Sequence, residues 1–313
     1  MTVAFTFPGQ GSQAVGMGKG LAETFPEARR VFDEVDEALG ETLSTVIFEG
    51  PAETLTLTEN AQPALMAVSL AALRALETRG FSLAAKVAHV AGHSLGEYSA
   101  LAAAGSLGIG EAARLLRIRG RAMQKAVPVG TGAMAALIGL DLDAARAVAA
   151  EAAESEVCEA ANDNGGGQVV VSGNRAAVER AVEIAKGRGA KRAILLPVSA
   201  PFHCALMAPA AEAMAAALAG ATIRAPAVPV VCNVTARPTR DPAVIRENLV
   251  KQVTGMVRWR ESVAWLAGAG ATLFVEVGAG KVLSGLAKRI AGDAETLAVG
   301  APADIDPALA RLG

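Results

Sequence analysis

The stretch KVAHVAGHSLGEYSALAAAG, residues 86–105, decides how this chain is built. Its opening, 87–91, is a short apolar run with β-branched members that ends at Gly92, which predicts a buried strand. From Leu95 onward small and apolar residues recur at helical spacing until Gly105, so a helix is predicted to follow. Between them Gly92-His93-Ser94-Leu95-Gly96 fits G-x-S-x-G. A serine on so sharp a strand-to-helix turn projects out of the sheet, and its flanking glycines let the backbone fold tightly beneath it. The hydroxyl also sits at a helix N-terminus, where unpaired N–H groups and the helix dipole favour developing negative charge. Ser94 is therefore the candidate nucleophile.

Upstream, residues 3–7 predict a strand ended by Pro8, followed by the loop Gly9-Gln10-Gly11-Ser12-Gln13. Gly9, Gly11 and Ala14 match a relaxed dinucleotide fingerprint, but the acidic residues at the expected distance, Asp33 and Glu34, lie in a segment of helical spacing. No carboxylate then ends a second strand to hold a ribose. The loop could instead aim backbone N–H groups at a reacting carbonyl. Helices are predicted over 27–39, 60–76 and 109–126, the last carrying Arg114, Arg117, Arg119 and Arg121. Such arginines are mostly solvated, whereas one turned inward would offer a planar fork to a carboxylate.

From Gly132 the pattern changes. Strands are predicted over 133–138, 157–161, 168–172 and 192–198, and helices over 141–153 and 175–187, in the order βαββαβ of a ferredoxin-like unit. The run NDNGGG, 162–167, reads as the hairpin turn between its middle strands, with Asp163 as a turn former. This unit is expected to be a small domain, 129–198, inserted into a larger one formed by 1–128 and 199–313. After it come Pro201-Phe202-His203, an alanine-rich core helix within 205–221, a strand over 228–234, helices over 241–252 and 258–267, and a last central strand over 272–277. Gly278-Ala279-Gly280-Lys281 lacks the spacing of a phosphate-binding loop.

With 313 residues, 52% of them hydrophobic, the chain has material for a sizeable core. A net charge of −2 gives no field to hold nucleic acid or an anionic membrane, so an anionic substrate must meet a local cation. The three cysteines, Cys158, Cys204 and Cys232, lack metal-ligand spacing and suggest reduced thiols in a cytoplasmic protein. No signal peptide, membrane span or metal site is expected.

A serine needs a general base, and the chain offers only His89, His93 and His203. His89 lies on the predicted strand and reads as a satisfied core residue; His93 adjoins Ser94, so its side chain should leave the turn in another direction. His203 remains, at the seam where the inserted unit rejoins, and seams are where pockets form. A hydrolase would carry its histidine close to the C-terminus, whereas 110 residues follow this one. A backbone carbonyl could hold its tautomer in place of a carboxylate.

Taken together, FPGQGSQ (7–13), GHSLGEYSAL (92–101), RGRAMQ (119–124), GTGAMAALIGL (130–140), PFHCALM (201–207) and FVEVGAGKVLSGL (274–286) resemble the bacterial malonyl-CoA:acyl carrier protein transacylase family. The resemblance spans nearly the whole chain. It implies an α/β-hydrolase-like large domain with a central, mostly parallel sheet and a ferredoxin-like insertion. It also implies transfer of a malonyl group from malonyl-CoA to acyl carrier protein through a malonyl-serine. Carried over by position, Ser94 is the nucleophile, His203 its base, and the N–H groups of Gln10 and Leu95 the oxyanion hole. Arg119 clamps the malonyl carboxylate, the Gln252 carbonyl orients the histidine, and Gln252, Phe202 and Asn162 belong to the substrate site. Phe before the histidine goes with malonyl in related acyltransferases. No cofactor, nucleic-acid partner or membrane partner is implied, and a monomer is expected. Arg117, Arg121, Lys125, Lys186, Arg188 and Lys191 are candidates for steering an acidic carrier. The rival readings are a serine thioesterase or esterase that releases malonate to water, and a noncatalytic carrier-protein binder or malonyl-CoA sensor using the same pocket.

Overall fold

Val3–Phe7 is buried at every position and His89–Gly92 at nearly every one, as strands covered on both faces must be. A computed structural model describes all residues from Met1 to Gly313. Its strands are β1 (Val3–Phe7), β2 (His89–Gly92), β3 (Gly132–Ile138), β4 (Cys158–Asp163), β5 (Gln168–Asn174), β6 (Arg192–Leu195), β7 (Val230–Val231), β8 (Pro238–Thr239), β9 (Leu273–Val277) and β10 (Glu295–Val299). The larger sheet has the order β10-β9-β1-β2-β7-β8 and is parallel apart from β7 with β8. β1 lies at its centre, with β2 on one side and β9 on the other. The chain departs from β1 in both directions, and crevices form outside the carboxyl ends of strands at such a switch point. The loop after β1 and the turn after β2 meet there, where His93 N donates to Phe7 O at 3.0 Å.

Helix Thr58–Glu77 is buried along nearly its whole length, leaving out Glu59, Asn60, Arg74 and Glu77. Its alanines let neighbouring helices approach closely. Gly120, within helix Ile109–Lys125, is one crossing point: a Cβ there would sit 2.5 Å from Glu59 Cα, so only hydrogen fits. Leu115, Leu116 and Met123 on that helix join Phe32, Leu65 and Leu101 in the main core, each worth about 1.5–3 kcal/mol of burial for a full-sized apolar chain.

The smaller sheet is antiparallel, in the order β4-β5-β3-β6, and with helices Leu142–Ala153 and Arg175–Gly187 it completes βαββαβ. It has a core of its own, including Leu137, Val148, Val171 and Val178.

The structure corrects several expectations. β9 is the last central strand, but a further strand that the pattern did not announce, β10, follows it at the sheet edge, half-exposed and therefore weakly patterned. The strand expected over 228–234 shrinks to β7, because Asn233 turns aside to serve the elbow. The alanine-rich segment is a 3₁₀ turn, Ala205–Met207, and a helix, Ala208–Ala219, that buries only Ala210, Met214 and Leu218. Alanine is cheap to expose, so its abundance does not report burial. Asp163 is no simple turn residue; it ends β4 buried, accepting from Arg260 Nε at 2.7 Å. His89 is half-buried, edge-on to Trp265, and its Nδ1 has no partner.

Candidate active site

The turn after β2 depends on its glycines. A Cβ on Gly92 would lie 1.8 Å from Gly96 O, and one on Gly96 would lie 2.3 Å from Phe7 O. Ser94 between them has φ 53°, a left-handed conformation unusual for a residue with a side chain, and the surrounding packing must hold it there. Asn233 does so: its Oδ1 accepts from Ser94 N at 2.7 Å while its Nδ2 donates to Gly92 O at 2.7 Å. Helix Gly96–Ala103 follows, so Ser94 stands at its N-terminal end.

His203 is 109 residues further along the chain, yet its Nε2 is 2.7 Å from Ser94 Oγ. The other ring nitrogen, Nδ1, faces two backbone carbonyls, Gln252 O at 2.8 Å and Gly255 O at 3.2 Å. Both can only accept, so Nδ1 carries the proton and Nε2 is free to take one from the serine. Burial above all, and then the charge of Arg119, push the imidazole down to about 3, against the pull of the Gln252 carbonyl. The ring is thus neutral at ordinary pH, with the Nε2 lone pair unprotonated and facing the serine. His203 also has a left-handed backbone, φ 59°.

The close helix crossing at Gly120 places the neighbouring Arg119 inside the protein, 1% exposed. Its Nη1 donates to Gln62 Oε1 at 2.8 Å, and its Nη2 to Gln252 Oε1 at 2.9 Å and to Ser94 Oγ at 3.1 Å. The guanidinium lies 5.8 Å from the centre of the Tyr98 ring, and its Nε has no partner. No carboxylate touches it; the salt bridges of this helix belong to Arg117 and Arg121. Of the four arginines considered, this one turns inward to the serine.

Behind these groups lies a buried polar network that the sequence reading did not foresee. Gln252 Nε2 donates to Ser94 O at 3.0 Å and to Glu97 Oε2 at 2.7 Å. Glu97 Oε2 also accepts from Asn233 N at 3.0 Å, and its Oε1 has no partner. Burial pushes the Glu97 carboxyl up from its ordinary range, while the Asn233 N–H, the Gln252 amide, Cys232 and Arg119 draw it down. The side chain of Gln252, assigned to the substrate site, is therefore occupied entirely by protein groups. Only Glu97 carried any signal, as a charged residue inside an otherwise small and apolar helix.

The remaining candidates fall as follows. Neither Gln10 N nor Leu95 N has a partner within the protein, and Gln10 Nε2 donates to Thr58 Oγ1 at 3.2 Å. Phe202 is buried beside His203 in sequence. Asn162 lies at an irregularity of β4 with its buried Oδ1 unpaired. His93 points away from the serine, with its Nε2 2.9 Å from Asn164 Oδ1 in the hairpin turn. A cavity of about 350 Å³ opens beside His203, bounded by Arg146, Cys158, Glu159, Thr254 and Met256. No group of three or more His, Cys, Asp or Glu side chains is placed to hold a metal ion, and no helix is long and apolar enough to cross a membrane. Of the expected steering cations, Arg117 is buried against Glu41, Arg121 pairs with Glu59, Lys186 with Glu183 and Arg188 with Glu151.

The acyl transferase domain family matches residues 4–298. The malonyl CoA-acyl carrier protein transacylase of Bacillus subtilis is 48% identical over 99% of this chain and 97% of its own, and that of Escherichia coli K12 is 47% identical over 98% of each. Among solved structures, the acyl-carrier-protein-S-malonyltransferase of Bartonella henselae superposes with a TM-score of 0.98 at 58% identity, covering all of both chains. A malonyl-transacylase in complex with a type II PKS acyl-carrier protein superposes with a TM-score of 0.96 at 42% identity, over 99% of this chain and all of its own.

Proposed function

This chain belongs to the acyl transferase family, and on that premise we propose that it moves a malonyl group from malonyl-CoA to the phosphopantetheine thiol of acyl carrier protein through a malonyl-Ser94 intermediate. The observation that carries the reading is the convergence on Ser94 Oγ of His203 Nε2 at 2.7 Å and Arg119 Nη2 at 3.1 Å. A base and a cation at one hydroxyl suit a substrate that is both a thioester and an acid.

In the first half-reaction Ser94 Oγ attacks the thioester carbonyl carbon as His203 Nε2 takes its proton. The oxyanion is received by the N–H groups of Gln10 and Leu95, donors worth roughly 3–4 kcal/mol each in comparable sites. The carbon–sulfur bond breaks, and the imidazolium returns the proton to the departing CoA thiolate. In the second half the carrier's thiol gives its proton to His203, attacks the acyl-serine and restores Ser94. Throughout, the Gln252 and Gly255 carbonyls hold the Nδ1 proton and steady the imidazolium without a buried counter-charge.

The acyl tail carries the choice of substrate. A malonyl carboxylate pairs with Arg119, whereas an acetyl group leaves the buried guanidinium unpaired. Phe202 and Asn162 complete the substrate side of this reading. The chain works as a cytoplasmic monomer without a cofactor, with residues 129–198 as a unit set into the body formed by 1–128 and 199–313.

Incubation with labelled malonyl-CoA, with and without holo carrier protein, tests the proposal by mass spectrometry of the protein. Label stable on Ser94 and discharged to the carrier is expected. Rapid release of free malonate would make the protein a thioesterase, and absence of label would make it a noncatalytic binder.

A further inference from the structure

Two fully buried ionisable side chains, Arg119 and Glu97, each 1% exposed, flank the site without touching. One amide stands between them: Gln252 Oε1 accepts from Arg119 at 2.9 Å, and Gln252 Nε2 donates to Glu97 at 2.7 Å. The amide cannot turn over, because its second Nε2 hydrogen is taken by Ser94 O at 3.0 Å and a reversed amide would face the guanidinium with its NH₂. The groups bonded to Glu97 Oε2, Asn233 N–H and Gln252 Nε2–H, are both donors, an arrangement that an ionised carboxylate accepts. Cys232 and Tyr98 are the other titratable neighbours of Glu97.

We propose that Glu97 is a positioning residue and the standing counter-charge of Arg119, kept one amide away so that the clamp is balanced at rest yet open to the acyl carboxylate. A direct ion pair would fill the fork and bar the substrate. A guanidinium with no counter-charge would hold any small anion, and would grip the malonyl tail too tightly to let it move on to the carrier. With the amide interposed, Glu97 weakens the field at the clamp without occupying it. The same carboxylate braces the elbow through Asn233, whose side chain holds both Ser94 N and Gly92 O. One buried charge therefore sets the strength of the acyl clamp and the seating of the nucleophile together.

The inference rests on the malonyl-transfer reading, and the test separates the two. Glu97→Gln keeps the shape and an acceptor but removes the charge. Free malonate should then inhibit competitively with malonyl-CoA roughly tenfold more tightly than in the wild type, as loss of a nearby opposing charge dictates. The KM for malonyl-CoA should fall while kcat falls, and Glu97→Asp, which retains the charge, should keep malonate inhibition near the wild-type value. Damage to structure alone would weaken malonate binding and raise KM. Unchanged or weaker malonate inhibition in Glu97→Gln overturns the proposal. A wild type that forms no malonyl-enzyme would instead remove the parent reading. Should Glu97→Gln fail to fold, infrared spectra of the wild type and Glu97→Asp decide: a carboxylate band altered by the substitution supports the role, and a protonated carboxyl band at this position ends it.

Discussion

Arg119 touches the nucleophile itself: its Nη2 lies 3.1 Å from Ser94 Oγ, on an atom that His203 Nε2 also contacts at 2.7 Å. In the proposed reaction the same cation takes the carboxylate at the far end of the acyl group, which would tie substrate choice to the reacting atom.

Replacing Arg119 by alanine should lower kcat/KM for malonyl-CoA by roughly a hundredfold or more, the scale of a lost buried charge pair, and lower that for acetyl-CoA far less. Competition assays with both thioesters measure this ratio. Unchanged selectivity would take the clamp role from Arg119.

The acid limb of the acylation rate follows from His203. Its native value of about 3 lies below the ordinary 6.5, so its neutral form persists as pH falls through the usual histidine range and kcat/KM should stay flat there. Between those values the unfolded chain binds a proton that the native ring refuses, so this contribution to stability is whole above pH 6.5 and is lost as pH falls toward about 3. In Arg119→Ala the limb should move upward, because a neighbouring positive charge has gone. A limb centred near 6.5 in the wild-type protein contradicts the assignment.

Ser94→Ala should abolish the acyl-enzyme and cut transfer by at least about a thousandfold, with folding intact. Intact-mass spectra after brief exposure to malonyl-CoA are the check. Label persisting elsewhere would move the nucleophile.

Asn233→Ala should be costly in two ways. It strands Ser94 N and Gly92 O, both held at 2.7 Å, and frees the left-handed serine, so about 2–3 kcal/mol of stability should be lost together with much of kcat. Denaturant unfolding and steady-state kinetics would show it. Full activity in a destabilised variant would mean that the elbow seats itself.

What could be read from the chain follows from how local each signal is. Ser94 was legible because strand, turn and helix are consecutive, and His203 because only three histidines exist. Choosing Arg119 among four arginines needed the family resemblance, since which side of a helix faces inward depends on a crossing at Gly120 that no periodicity reports. The links of Glu97, Asn233 and Gln62 were out of reach: each joins residues 57 or more positions apart except the short step from Asn233 to Gln252. β10 was missed because an edge strand with half-exposed residues carries no strong alternation.

The nearer of the two acceptors facing His203 Nδ1 is the main-chain oxygen of Gln252, and every residue type brings one. No single codon change at position 252 can delete it; only a shift in the end of helix Pro242–Thr254 would. In the proposed mechanism, mutation at 252 would therefore retune the Arg119 clamp through the side chain while the His203 tautomer is inherited with the backbone, a separation of duties that an aspartate in that place would not permit.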